Sequence, residues 1–324
     1  SPFIAELIFK NNNLISYFII ASLLIFFIST NELNLSGLRS LHDIKTFAVL
    51  NVLPSVVTLI AVAVVTFCFY DESDPVYIYI ITPAIMFFVT FYFVHKKFKE
   101  KSPNTLNENL INIKLKEILL ISSPMLLISG MHLIMSQTDV IMIGMYMSEK
   151  DVGLYAIAMK LALLSSFVLN AVNSVVSPKF SQYYHAGEME ILKKTAKSSS
   201  KLIFYSTFPV LVFLLIFGRS ILGIFGNEFE EAYFILVILI IGQMVNSFSG
   251  SVGYFLNMTG NQLAYQKVIL FGLFINIGLN IVLIPLYGLI GAAIATSISL
   301  ALWNVLALLF MKKKFNFTTV SFGG

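Results

Sequence analysis

Three ionisable side chains, His132, Asp139 and Lys160, fall inside long uncharged runs of the sequence. A charge at mid-bilayer costs several kcal/mol unless it is paired or hydrated, so such residues mark an ion or substrate pathway by default. Asp139 and Lys160 flank the short turn MSEKDV at 147–152, and the midpoint between them lies within that turn. If the flanking segments are antiparallel helices, both residues sit roughly 9 residues, or about 13 Å, below the turn, near the middle of the hydrocarbon. Equal depth on consecutive helices predicts an ion pair between them.

The same segments carry polar stripes. Ser122, Ser129, His132, Ser136 and Asp139 follow one face of a 3.6-residue period, as do Ser166, Asn170, Asn173 and Ser177 further on. Lys160 lies about 80° round the helix from Asn170, within reach of its long stem. Gln243, Asn246, Gly250, Gly253 and Asn257 repeat the theme, and Asn276 and Asn280 extend it. A stripe of this kind lines a wet cavity, or it lets helices approach and hydrogen-bond across an interface. Asp139, Lys160, His132, Ser136, Asn170 and Asn173 are the expected pathway residues. Gly288, Gly291, Ala292, Ala295 and Ser299 read as helix packing. Pro54, Pro83, Pro124, Pro178 and Pro209 fall within or at the ends of the apolar runs, where kinks free backbone groups.

The elements that must position these residues are membrane helices. Of 324 residues, 57% are hydrophobic and only 12% charged, against about 25% charged in a soluble domain. That balance excludes a disordered chain, a coiled coil, a nucleic-acid binder and a conventional soluble enzyme. Nine segments are long and apolar enough to span, near 14–30, 47–70, 76–94, 118–146, 153–178, 202–218, 232–256, 268–286 and 288–311. Of the 21 basic residues, 17 lie in one alternating set of loops and three, Lys10, Lys150 and Arg219, in the other. The Lys-rich side is cytoplasmic by the positive-inside rule, which places the C-terminus inside. An odd number of spans then puts the N-terminus outside. With Ser1 in place of a methionine and no signal-peptide pattern, the start reads as a truncation. The polar stretch 95–117 separates three spans from six and reads as a cytoplasmic linker. The expected organisation is therefore a three-helix half bundle over 1–94, the linker 95–117, a six-helix bundle over 118–311 and a cytoplasmic tail over 312–324, an all-α polytopic membrane protein.

No HExxH, GxSxG, P-loop or dinucleotide fingerprint is present, so no catalytic residue, cofactor or ATPase is expected in this chain. A single cysteine, Cys68, rules out a disulfide framework or a cysteine-rich metal site. The acidic run DESD at 71–74 faces away from the positive side, as acids commonly do, and is not read as a metal site.

TDVIMIGMYMSEKDVGLYAIAMKLALL at 138–164, Ser177-Pro178-Lys179, FGNEF at 225–229, LNMTGNQ at 256–262 and LIPLYGLIGAAIATSISLALWN at 283–304 resemble the polysaccharide or O-antigen flippases of the multidrug/oligosaccharidyl-lipid/polysaccharide exporter superfamily. The resemblance is clear over 118–311 and weaker over 14–94, where GLRSLHDIK at 37–45 is similar to the loop before that family's fifth helix. It implies two six-helix bundles around a central cavity, with the nine spans here matching helices four to twelve and helices one to three absent. It further implies transport of a lipid-linked oligosaccharide across a bacterial cytoplasmic (inner) membrane by alternating access. A sugar head needs a polar groove, the carrier's pyrophosphate favours a cation such as Lys160, and Asp139 suits a coupling H+ or Na+. Membrane lipid and, by association, a glycan polymerase or glycosyltransferases are the implied partners; nucleic acid is not. Multidrug extrusion and lipid II flipping within the same superfamily are the nearest alternatives. A polytopic glycosyltransferase or polymerase fits less well, since it needs a large outside loop and 219–231 is the longest here.

Overall fold

The structure, a computed structural model, describes residues 14–40, 43–68, 74–101 and 115–320. The opening residues 1–13, most of the acidic run at 71–74 and the middle of the linker expected over 95–117 lie outside the described residues. Within them every regular element is helical, in the order α1 (Leu14–Ser40), α2 (Ile44–Cys68), α3 (Asp74–Lys101), α4 (Leu115–Tyr146), α5 (Glu149–His185), α6 (Met189–Gly223), a 3-10 turn (Asn227–Ala232), α7 (Tyr233–Ser249), α8 (Val252–Met258) and α9 (Gln262–Phe315). A bilayer offers the backbone no hydrogen-bond partner, and a helix satisfies its groups internally. Six of these helices are long and apolar enough to cross a membrane. Their outward faces carry Val49, Leu59, Leu126, Phe167, Ile216 and Phe274, each more than half exposed and each suited to lipid.

The chain divides into two compact units, Ser1–Asn112 and Ile113–Gly324. In the first, α1, α2 and α3 meet in an apolar cluster of Leu35 and Leu38 from α1, Leu50 from α2, and Val89 and Phe93 from α3. One buried hydroxyl joins the two helices: Asn34 Nδ2 donates to Thr90 Oγ1 (3.2 Å), which donates to Asn31 Oδ1 (2.8 Å). Asp43 caps α2 by accepting from the Thr46 N–H (3.2 Å) and hydroxyl (2.9 Å), with Lys97 3.6 Å away. The Thr46 hydrogen bonds, followed by the Lys97 charge, hold this carboxyl below its ordinary value.

In the second unit, the turn between α4 and α5 is set by a capping box. Ser148 Oγ accepts from the Asp151 N–H, while Asp151 Oδ2 accepts from the Ser148 N–H (3.1 Å). The last two expected spans are two helices that meet at Gly288 (φ 58°, ψ −134°), where the chain folds back on itself; α9 denotes both arms. The reversal is visible in its contacts, since Asn276 bonds Ser299 (3.3 Å) and Gly272 lies against Trp303. Gly291 meets the Leu283 carbonyl where the arms leave the bend, a place with no room for a Cβ. The span expected to run unbroken over 232–256 is instead interrupted at Gly250 (φ 61°, ψ −129°), where Ser200 of α6 packs so closely that a Cβ would not fit. The segment that follows α9 is tucked in as well. After Asn316 reverses the backbone, Phe315 and Phe317 pack on Phe255, and fully buried Thr319 donates to the Ser249 carbonyl (2.8 Å) freed by the break.

Backbone angles like those of Gly288 and Gly250 cost an L-residue about 1–3 kcal/mol. Gly288→Ala is expected to lower the thermal unfolding midpoint in detergent accordingly, and Gly250→Ala by more, since its new Cβ meets the Ser200 backbone. Gly278→Ala, at a helical position with nothing within 4 Å, should leave the midpoint unchanged or raise it slightly.

Candidate functional site

Asp139 is 1% exposed at a depth where a bare carboxylate is costly, and its environment answers that cost with neutral donors. Tyr155 Oη donates to Oδ2 (2.8 Å), and Thr296 Oγ1 donates to the same oxygen. Asn280 Nδ2 donates to Oδ1 (2.6 Å) and Asn276 Nδ2 reaches it at 3.5 Å. The donors come from α5 and from both arms of α9. The hairpin at Gly288 makes this possible, since Asn280 on one arm and Thr296 on the other are equidistant in sequence from the bend. Asn276 also donates to Ser299 Oγ (3.3 Å), so a residue that reads as packing belongs to the polar shell.

The ion pair expected between Asp139 and Lys160 does not form. Lys160 is exposed and takes part in none of the ion pairs among the described residues. The reason is azimuth. On α5 the buried face runs through Leu154, Tyr155, Ala158, Leu161 and Ala162, and Lys160 lies about 140° round from Tyr155 at about 100° per residue. Sequence position fixed its height but not its side.

Beside the Asp139 shell, α4, α5, α7, α8 and α9 enclose a cavity of about 420 Å³. His132, Ser136 and Asn170 line it as the polar stripes predict, whereas Asn173 does not: it is fully buried, away from the cavity, and its side-chain atoms have no hydrogen-bond partner. His132 sets its ring edge-on to Trp303, 5.4 Å between centroids, and Tyr254 Oη donates to Asn170 Oδ1 (3.4 Å). An amide ladder crosses the wall. Ser166 Oγ (3.3 Å) and Asn246 Nδ2 (3.2 Å) both donate to Gln243 Oε1, and Asn304 Nδ2 donates to Asn246 Oδ1 (3.3 Å). Asn276, Thr296 and Ser299 line the cavity too, so the carboxylate's shell is also the cavity's wall.

Two oxygens in that shell stand out. Asn276 Oδ1 and Asn280 Oδ1 are buried without a partner, on side chains whose nitrogens face Asp139. Among the described residues no cluster of three or more His, Cys, Asp or Glu could hold a metal ion. An all-oxygen set of one carboxylate, amide carbonyls and hydroxyls suits a hard monovalent cation or a proton rather than a transition metal. Tyr155, Thr296, Trp303 and Tyr254 escape a reading of the sequence for ionisable groups and amide stripes. The signal that could have found Thr296 is its mirror position to Asn280 about Gly288.

A family model described as polysaccharide biosynthesis protein matches residues 1–233. A probable low-salt glycan biosynthesis flippase of Haloferax volcanii is 28% identical over 172 residues, covering 53% of this chain and 36% of its own length. A capsular polysaccharide biosynthesis protein of Staphylococcus aureus is 26% identical over 188 residues, covering 57% of this chain and 47% of its own length. The chain thus spans half or less of the length of these curated relatives. Among solved structures, a mutant of the Vibrio cholerae MATE transporter VcmN superposes with a TM-score of 0.74 at 15% identity, covering 88% of this chain and 66% of that one. The lipid II flippase MurJ in an inward closed conformation gives 0.67 at 19% identity, covering 92% and 63%. At these identities the structural likeness shows the fold.

Removing an acceptor from buried donors costs about 1–3 kcal/mol for each donor left unsatisfied. Asp139→Ala is therefore expected to lower the unfolding midpoint in detergent markedly. Lys160→Ala should change stability by no more than about 0.5 kcal/mol, as for a surface substitution. Equal losses in the two variants would restore the ion pair.

Proposed function

Because this chain belongs to the polysaccharide biosynthesis protein family, we propose that it forms part of a flippase that carries a lipid-linked glycan across the cytoplasmic membrane by alternating access. The observation that carries this reading is the cavity of about 420 Å³ inside a bundle of membrane-spanning helices, where amides and hydroxyls are set among apolar side chains. Such a space gives a hydrophilic head group a path through hydrocarbon. Its lining has no acid to attract the lipophilic cations that a multidrug exporter handles, which favours glycan over drug. The 17-to-3 split of basic residues supports a cytoplasmic C-terminus. The enzymes that build and polymerise the glycan are the expected partners.

Asp139 is the proposed seat of a coupling ion, Na+ or H+. For Na+, a turn of the Asn276 or Asn280 amide would present the unpartnered oxygen beside the carboxylate, with the Thr296 and Tyr155 oxygens close by. For H+, the carboxylate itself is the acceptor. Either ion discharges the buried group, and because Asn276 and Thr296 form the cavity wall, the event is felt where substrate sits.

The test is glycan export by the complete protein in cells lacking their own flippase, measured as surface glycan against membrane abundance. Asp139→Asn is expected to reduce export at least about tenfold, equivalent to 1.4 kcal/mol, at normal abundance. Lys160→Ala should have a smaller effect. In vesicles, replacing Na+ by choline at constant pH, or collapsing the pH gradient at constant Na+, identifies the ion. Wild-type export from Asp139→Asn would reject the coupling role.

A further inference from the structure

The cavity's lining is chemically particular. It is rich in amides and hydroxyls, yet among the described residues no Lys, Arg, Asp or Glu lines it. The nearest acid, Asp139, is sealed behind Thr296 and Asn276, and Lys160 is not among the lining residues. A phosphate or pyrophosphate would lose its water here and gain no counter-charge, which is prohibitive for a dianion. An acyl or prenyl chain would leave the two free ends of the amide ladder, Gln243 Nε2 and Asn304 Oδ1, without partners. What matches is a solute that is uncharged and dense in hydrogen-bonding groups.

The ladder also fixes what it has left to offer. Gln243 Oε1 is occupied by Ser166 and Asn246, so the Nε2 group is the free end of that amide. Asn304 Nδ2 is spent on Asn246 Oδ1 and on the Leu300 carbonyl (2.9 Å), which leaves Oδ1 as an acceptor without a partner. Both residues line the cavity while only 6% and 5% exposed. A donor and an acceptor held at the two ends of the ladder, with Asn246 between them, complement separate ring substituents, each hydroxyl or acetamido group giving and taking one bond. Trp303 supplies an apolar surface on the same wall. Its indole is held by the edge of His132 and by the backbone of Gly272, where an added Cβ would lie 3.0 Å from the ring. A pyranose has polar edges and an apolar C–H face, and needs both kinds of surface.

We infer that this cavity is a seat for an uncharged sugar ring, with Gln243 Nε2 donating to the ring substituents, Asn304 Oδ1 accepting from them and Trp303 against the ring's apolar face. The phosphate groups of a lipid carrier are not held in it. This assignment rests on the flippase reading and goes further, because it separates the glycan's neutral residues from its charged anchor.

Trp303 is the chain's only tryptophan, so its emission reports on the cavity directly. The full chain in detergent is titrated with a panel of neutral sugars, N,N′-diacetylchitobiose, maltose and lactose, and separately with sodium pyrophosphate. At least one sugar is expected to change the emission saturably, and pyrophosphate at matched ionic strength to leave it unchanged. Gln243→Leu and Asn304→Leu should each weaken the sugar about tenfold, the worth of one well-placed hydrogen bond. Lys201→Ala, whose residue lies outside the cavity, should bind as the parent does. Size-exclusion profiles and unfolding midpoints establish that the Leu variants are folded. A response to pyrophosphate without one to any sugar overturns the inference, and so does silence from the whole panel with the parent protein. Either result leaves the flippase reading to the export assay, which fails separately if the complete protein moves no lipid-linked glycan.

Discussion

A single carboxylate buried at the depth of the hydrocarbon sets the terms for the second unit. Asp139 has no cation beside it, so its charge is met by four neutral donors from three directions. Those directions are α5 and the two arms of α9, and they converge only because α9 reverses at Gly288. Hydrogen bonds to a charged group contribute about 1.5–3 kcal/mol each, more than neutral ones, and in a medium without water there is no cheaper way to satisfy the group. The hairpin, the close approach at Gly291 and the polar faces of Asn276, Asn280, Thr296 and Ser299 follow from that requirement.

The shell has a second side. Asn276 and Thr296 turn one set of atoms to the carboxylate while also lining the cavity, and Ser299 backs Asn276, which gives the two sites a common wall one side chain thick. Under the proposed coupling, a change of charge at Asp139 would reorder those donors, and reordered donors would alter what the cavity presents. Coupling of this kind needs no long path through the protein, only two occupants that prefer different arrangements of the same side chains. The unpartnered oxygens of Asn276 and Asn280 are what makes a second arrangement available, because each amide has a face that the observed one does not use.

Much of this was legible in the sequence, and the failures have a common cause. Hydropathy located the helices, and the depth of Asp139 marked it as the residue to watch. The stripe on α4 brought His132 and Ser136 to the cavity. Depth is a coordinate along the helix, however, and says nothing about rotation around it. Lys160 was therefore assigned to the carboxylate, when Tyr155 on another face of α5 is the residue that reaches it. Asn173 failed in the same way, sharing a stripe with Asn170 yet lying away from the cavity. The break at Gly250 was not legible because glycine is common in intact membrane helices. What accompanies it, the close packing of Ser200, is tertiary. Thr296 was within reach, since counting outward from Gly288 pairs it with Asn280.

The interrupted span also imposes an order of assembly. Breaking α7 at Gly250 leaves the Ser249 carbonyl to be covered by Thr319, a residue 70 positions later in the chain. At about 5–20 residues per second, translation reaches that hydroxyl roughly 4–14 s after the carbonyl is made. Through that interval the break is open to whatever water or head group can reach it, and the helices around it are free to adjust while α9 enters and folds back. The Thr319 hydroxyl thus covers the break only after both arms of α9 have been made.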